Sequence, residues 1–341
     1  MRTYRAGDAP RAIALLKAAF GDWPGRRVAA HGRAEEFFRW KHERNPHGAS
    51  HIVFAEADGR VAAMRAYMPW PLYVNGGERL TAVQGVDIAT DPAFRGRGLS
   101  SQMLSAAIEH LRETKSFAFG LPNDMSVSQS LRSGWQLVGR LPVWVRVRRP
   151  LRVARRAGAL KSQGRSLAVP SVEAPRAADL LANGDGLLEL LADSRAHGPR
   201  FATDADVSYL RWRYEPLLGD YRAVSQQEGG RLAGLAIFGM RQRGGLWEGS
   251  VCELFVRPGD TRTAKRLLRQ IARAGPLDYL AAVPPAGSAL ARTLSRAGFV
   301  PSPIGGRRIG ITPYHEGIAP DPRLRGSWSL SFGDLERLEL C

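Results

Sequence analysis

Cysteine is nearly absent: Cys252 and Cys341 are the only two in 341 residues. That excludes a disulfide framework and a zinc site of the Cys-x-x-Cys type. No stretch approaches the roughly 18 apolar residues that a membrane-spanning helix needs. The opening MRTYRAGDAPRAIALL lacks an apolar core followed by a small-residue cleavage site, so it does not read as a secretory signal. A cytoplasmic, reducing setting is the expectation. The seven histidines are scattered and form no HExxH pattern, so no metal site is expected. No GxSxG elbow for a serine hydrolase is present.

What the chain does have is positive charge. Forty-nine basic against 32 acidic residues leave a net +17, which asks for an anionic partner without naming one. The excess is uneven. Arg140 to Arg165 reads RLPVWVRVRRPLRVARRAGALKSQGR, with eight arginines, one lysine and no acid. A solvated connector is the plain reading of such a run; a surface for nucleic acid or an anionic membrane is the sharper one. Only Trp144 is present to stack on bases, which weakens a single-strand binder.

Length predicts about two domains at ~150 residues each, and an internal repeat gives them content. FRWKHERNP (38–46) resembles LRWRYEP (210–216), VDIATDP (86–92) resembles CELFVRP (252–258), and LRSGW (131–135) resembles SRAGF (295–299). The order is kept and the offsets drift slowly: 172 for Trp40 to Trp212, 166 for Asp87 to Glu253, 164 for Gly134 to Gly298. The expected organisation is a first domain at 1–150, a basic connector at 151–169 and a second copy at 170–341. In the first copy, periodicity predicts helices over 12–20 and 33–41 and alternating strands over 51–56 and 60–68, with Asp58-Gly59 as a hairpin turn. A strand over 81–89, a helix over 100–112, a strand over 116–119, a helix over 126–133 and a last strand from Trp135 follow. Trp328–Phe332 alternates and is expected to close the second sheet. Such an order suits an α/β layered fold.

The most informative stretch is Thr90-Asp91-Pro92-Ala93-Phe94-Arg95-Gly96-Arg97-Gly98-Leu99-Ser100-Ser101. A strand ends, a glycine-rich turn follows and a long helix begins. Such a turn can aim backbone N–H groups at a phosphate while the helix start adds partial positive charge; it can also be only a tight turn. A P-loop is excluded because no lysine stands where GxxxxGK[ST] needs one. A dinucleotide fingerprint lacks its third glycine and its later acidic residue.

DPAFRGRGLSSQML resembles motif A of the GNAT superfamily of acetyl-CoA-dependent N-acetyltransferases, Q/R-x-x-G-x-G/A, with Arg95 first and Gly98 fourth. Ser100 stands in place of the final small residue. Pro122-Asn123 and the later Gly134-Trp135 resemble the family's downstream segment. The resemblance covers residues 1–145 and extends to the second half through the repeat. It implies two tandem GNAT-like α/β domains, each a mixed, mostly antiparallel sheet flanked by helices. It implies acetyl-CoA as acyl donor and a small primary amine, such as an amino sugar, as acceptor. The backbone of Ile88, Ala89 and Thr90 would hold the pantetheine arm. Amides from Arg95 through Gly96, Arg97, Gly98, Leu99 and Ser100 to Ser101 would hold the pyrophosphate, and Asn123 would bond the arm or a water. Asp87, an acid in an apolar strand, is the candidate general base, through a burial-raised pKa. Glu253 fills the same slot in the second copy, which allows a structural role instead. Gln84 stands where other branches keep a glutamate. Ser130 replaces the tyrosine that many members use as general acid, so no acid is assigned. The second copy has Arg257-Pro258-Gly259-Asp260 at its turn, and Asp260 would repel a pyrophosphate, so one coenzyme per chain is expected. Two alternatives stay open: an aminoacyl transferase of the tandem cell-wall type using charged tRNA, and a non-catalytic coenzyme-binding module contacting polyanion through the basic stretch. Oligomeric state is not readable.

Overall fold

The computed structural model describes every residue except 22, 26–31, 75–76, 123–125, 157, 159–164, 167–170, 196–199, 286, 304–305 and 335–341. The chain opens with β1 (Arg2–Thr3), α1 (Ala9–Phe20) and α2 (Ala34–His42), then the meander β2 (His51–Ala57), β3 (Arg60–Val74) and β4 (Glu78–Thr90). Next come α3 (Leu99–Leu111), β5 (Phe117–Gly120), α4 (Val127–Arg132), β6 (Gln136–Arg140) and β7 (Trp144–Val147). The middle holds α5 (Pro150–Arg156), β8 (Arg165–Ser166), α6 (Ala177–Ala182), α7 (Leu187–Ser194), β9 (Phe201–Thr203) and α8 (Val207–Arg213). A second meander follows, β10 (Arg222–Glu228), β11 (Arg231–Arg243) and β12 (Leu246–Val256), then α9 (Thr261–Arg273) and β13 (Tyr279–Ala282). The last elements are α10 (Ala289–Arg296), β14 (Val300–Pro301), β15 (Arg308–Pro313) and β16 (Trp328–Ser329).

Local chemistry explains the first half. Asp58 and Gly59 both take positive φ, 52° and 73°, as the tight β2–β3 hairpin turn requires. Gly21 ends α1 with φ 74°, its amide bonded to the Lys17 carbonyl, a backbone conformation that glycine adopts without steric cost. Helix α3 buries Met103, Leu104, Ala107 and Leu111, one face at 3.6-residue spacing, against Ala63, Tyr67, Val83 and Ala118 of the sheet.

Two compact units result, with Met1–Arg140, Pro199–Asp204 and Arg307–Ser327 in the first and the remaining residues in the second. The first sheet runs β1-β2-β3-β4-β5-β15-β6, with β9 beside the end of β3. The second runs β10-β11-β12-β13-β7-β14, with β8 beside β11. Among the described residues only β4/β5 and β12/β13 pair in parallel. These are the two mixed, mostly antiparallel sheets that the repeat implied. The two halves of the sequence have traded a strand. β15, from the second half, lies between β5 and β6. β7, from the first half, lies between β13 and β14.

The trade draws the first part of the basic stretch, ahead of the connector expected at 151–169, into the second sheet. Trp144–Val147 is an interior strand, paired on both sides, with Val145 and Val147 on one face and Trp144 and Arg146 on the other. The helix after it, α5, buries none of its residues. The expected close of the chain is corrected. Only Trp328 and Ser329 form a strand, outside the second sheet; Ser331 to Asp334 make a turn in which the Ser331 amide bonds the Asp334 carboxylate at 2.6 Å.

Candidate active site

β4 and β5 are joined side by side only through Ala82/Phe117, Val83/Ala118 and Gln84/Phe119. Beyond Gln84 β4 runs on through Ile88, Ala89 and Thr90 with no described strand on its β5 side. Its other side stays paired with β3, Ala89 against Met64 and Thr90 against Ala63. A cleft therefore opens between two parallel strands, lined by unpaired backbone. Its floor is glycine. A Cβ on Gly85, Gly120 or Gly310, from β4, β5 and β15, would stand 2.9, 3.0 and 3.3 Å from the Trp135 ring. The indole lies as an aromatic plug against three bare backbones, of which Gly120 and Gly310 stay paired beneath it.

At the end of β4, Asp91 caps a short 3-10 turn (Pro92–Phe94) by accepting from the Ala93 amide. The glycine-rich loop then leads into α3. Gly96 and Gly98 take φ 79° and 70°, which L-residues avoid. Around them is open space, with only Gln102 Nε2 near, 3.8 Å from a Cβ at Gly98. Of the seven amides expected to face a phosphate, the outermost two turn inward: Arg95 donates weakly to the Pro92 carbonyl at 3.5 Å, and Ser101 to that of Gly98 at 3.1 Å. The amides of Gly96, Arg97, Gly98, Leu99 and Ser100 have no acceptor among the described residues. Five donors without a protein acceptor at the start of a thirteen-residue helix are an arrangement that can take an anion. The Arg60 and Arg97 guanidinium groups lie 4.9 and 4.8 Å from the Phe94 ring centroid, and Arg95 is exposed beside them. Asn123 lies outside the described residues. Ser130 donates its hydroxyl to the Ser126 carbonyl at 3.0 Å.

Asp87 sits where β4 bulges: Met64 pairs Ala89 and Ala66 pairs Val86, so two residues of β4 face one of β3. The bulge gives Asp87 a φ of 45° and turns its side chain to the α2 side. There the carboxylate receives Lys41 Nζ at 2.8 Å, His42 Nε2 at 3.0 Å and Trp23 Nε1 at 3.2 Å. The Lys41 and Asp87 side chains are 2% and 7% exposed. Burial pushes the Asp87 carboxyl upward, but the Lys41 charge and the His42 hydrogen bond hold it well below the usual carboxylate range. The raised pKa expected of this group is not what its partners produce. His42 is driven down by burial against the pull of Asp87; as a neutral ring it donates from Nε2 and accepts from the Ser50 hydroxyl at Nδ1, 3.0 Å away.

The second unit repeats this arrangement with other residues. Tyr214, beside Arg213 at the end of α8, donates its hydroxyl to Glu253 at 2.8 Å. Burial and the Asp334 charge push the Glu253 carboxyl up to about 8. The turn at Ser331–Asp334 packs into this place: a Cβ on Gly333 would collide with Glu253 and Tyr214, and the Gly333 carbonyl accepts from Arg213 Nε at 2.7 Å. The start of α9 is also closed, since the Asp260 carboxylate accepts from the Thr263 amide at 2.9 Å. A carboxylate of the protein stands where an anion would bind.

Sequence reasoning missed the partners of Asp87 and the Trp135 plug. The first had a signal: WKH at 40–42 matches WRY at 212–214, so a gripping pair recurs with its acid.

Two parallel strands that part beside a glycine-rich helix start define an acyltransferase scaffold. Residues 1–138 match the acetyltransferase (GNAT) domain family. A search of curated proteins finds no match. Solved structures similar to nearly the whole chain include a GCN5-related N-acetyltransferase from Anabaena variabilis, 13% identical with TM-score 0.62, over 92% of this chain and 73% of that one. A conserved protein of unknown function from Enterococcus faecalis, described as a probable N-acyltransferase, is 13% identical with TM-score 0.63, over 92% and 72%. Eis1 from Mycobacterium abscessus is 14% identical with TM-score 0.58, over 92% and 73%. At these identities the likeness is one of fold. No group of three or more metal-ligating side chains occurs among the described residues, and no described helix is long and apolar enough to cross a membrane.

Proposed function

We propose that the chain is an N-acetyltransferase that moves the acetyl group of acetyl-CoA to a primary amine of a small molecule, an amino sugar being one such acceptor, in a single catalytic site in the first unit. The observation that carries this is a coincidence of place: the strand β4, whose β5 side has no described partner beyond Gln84, leads through the Pro92–Phe94 turn straight into the five free amides of Gly96 to Ser100. Bound there, the coenzyme supplies an activated thioester. The unpaired edge of Ile88 to Thr90 holds the pantetheine arm as a strand holds its neighbour, and the free amides take the pyrophosphate. Transfer then needs the amine placed against the thioester carbonyl and a route for one proton. Asp87, saturated by three donors and held in its charged form, fixes the bulge of β4, while the amine's proton leaves through water in the cleft. Ser130, committed to a helix carbonyl, does not protonate the departing thiolate, which takes its proton from solvent.

The test is a screen for thiol release from acetyl-CoA with amine acceptors, run beside Gly98→Val. A branched side chain at φ 70° is strained at a cost of about 1–3 kcal/mol and projects into the cradle, so coenzyme binding should be lost at temperatures where the variant is still folded. Coenzyme binding without transfer to any amine would instead support a non-catalytic binding module. Equal coenzyme affinity in wild type and variant would sink the proposed cradle.

A further inference from the structure

Beneath the first turn of α3 lies a charge that the site described so far does not use. Arg65, on β3 opposite the bulge, is 1% exposed, and among the described residues it forms no ion pair. Its Nη1 donates to the Ser100 carbonyl at 2.8 Å and lies 3.5 Å from the Ser100 hydroxyl. Its Nε is buried without a partner, as are the hydroxyls of Tyr67 and Tyr314. The guanidinium carbon is 5.9 Å from the Tyr67 ring centroid.

A guanidinium taken out of water with no carboxylate beside it is costly, and here it faces the positive end of a helix, which adds repulsion. Nothing in the packing requires it, because the second unit serves as an internal control. Thr90 and Val256 stand three residues after Asp87 and Glu253; Ala63 pairs the first and Gly234 the second. Counting along β3 and β11 from these pairs, Arg65 matches Ala236 and Tyr67 matches Phe238. Both of these are buried in the apolar cluster under α9. The unit whose helix start is closed by Asp260 has an apolar pair, and the unit with the open glycine cradle has Arg65 and Tyr67.

We infer that Arg65 is a positioning residue of the coenzyme cradle: it pins the Ser100 carbonyl, holds the first turn of α3 with its amides outward, and supplies a buried positive charge that the coenzyme's pyrophosphate neutralises. This rests on the function proposed above. Without an anion the first unit carries two uncompensated positive ends face to face; with one bound, each has its counter-charge.

The experiment compares wild type with Arg65→Met and Arg65→Lys, by calorimetric titration with CoA and with 3′-phosphoadenosine diphosphate, and by kinetics with S-acetylpantetheine, a donor lacking the pyrophosphate. Arg65→Met should weaken both phosphate ligands about tenfold or more, equivalent to ~1.4 kcal/mol. It should leave the rate with S-acetylpantetheine unchanged and melt, free of ligand, at or above the wild-type temperature. Arg65→Lys should recover part of the affinity. Equal CoA affinity in wild type and Arg65→Met overturns the inference, and so does an equal loss with the phosphate-free donor, which marks a merely structural role. If Arg65→Met does not fold, Arg65→Gln carries the same comparison. Failure of wild type to bind CoA at all would strike the proposed function itself and is thereby told apart.

Discussion

Replacing Asp87 by asparagine separates the two roles that a carboxylate at this bulge can have. As a proton acceptor it would be needed for turnover and little else. As the anion that holds Lys41 and His42 to β4, it is needed for the fold. Lys41 Nζ lies 2.8 Å from the carboxylate, and both side chains are almost fully buried. Removing one member of such a pair leaves the other charge uncompensated at a cost of about 3–5 kcal/mol. In a unit of this size each kcal/mol moves the melting temperature by roughly 2–4 °C, so Asp87→Asn should lower it by roughly 6–20 °C. The double variant Asp87→Asn with Lys41→Met removes both charges and should recover most of that loss. The pH dependence has a defined sign. The folded-state pKa of Asp87 is depressed, so its contribution is fully present above the unfolded carboxylate value near ~3.9. It is lost only as pH falls through the lower folded value. The deficit of Asp87→Asn should therefore be flat from pH 5 to about 9 and narrow only in acid. Thermal melts of the three proteins across that range, with turnover measured on the same samples, decide the matter. An Asp87→Asn protein that melts with wild type while its turnover collapses would refute the architectural role and restore the base.

Other outcomes follow from the second unit. Calorimetry should find one CoA per chain, because Asp260 caps α9 and the Ser331–Asp334 turn occupies the place of a cleft; two equivalent sites would contradict this. Glu253, raised to about 8 by burial and Asp334, binds its proton more tightly folded than unfolded. Stability should then fall as pH rises from about 4.5 to about 8 and level off beyond. Glu253→Gln should flatten that decline and melt above wild type at pH 9. A parallel decline in the variant would show that another group is responsible.

Much of the scaffold is legible before any coordinates. Asp58-Gly59 states its hairpin, Gly98 states the start of α3, and the WKH/WRY and Asp87/Glu253 pairs state the duplication. These signals are local, each resting on a few neighbouring residues. What stays hidden is set by long-range choice of partner. The β-branched and aromatic residues of Trp144–Val147 suit a strand of either sheet, so nothing in them says which one it joins. Arg65, in VAAMRAYM, reads as a polar residue on a half-exposed strand; that it lies under a helix without a carboxylate is visible only when α3 is laid on β3. Asp87 invited a burial-raised pKa because an acid among apolar neighbours shows its desolvation but not Lys41, 46 positions earlier.

The traded strands have a consequence for the order in which the protein can be made. Synthesis runs from the N-terminus, and an ordinary domain can close as soon as its last strand leaves the ribosome. Here the strand that separates β5 from β6 is Arg308–Pro313, so the sheet bearing the cradle waits for almost the whole chain. Until then β5 and β6 keep open edges, the kind of surface that pairs with other chains, and Trp135 lacks the third of its glycines, Gly310. The second sheet, by contrast, has its borrowed strand, Trp144–Val147, already in hand. The half of the molecule that is made first is thus the half that can be finished last.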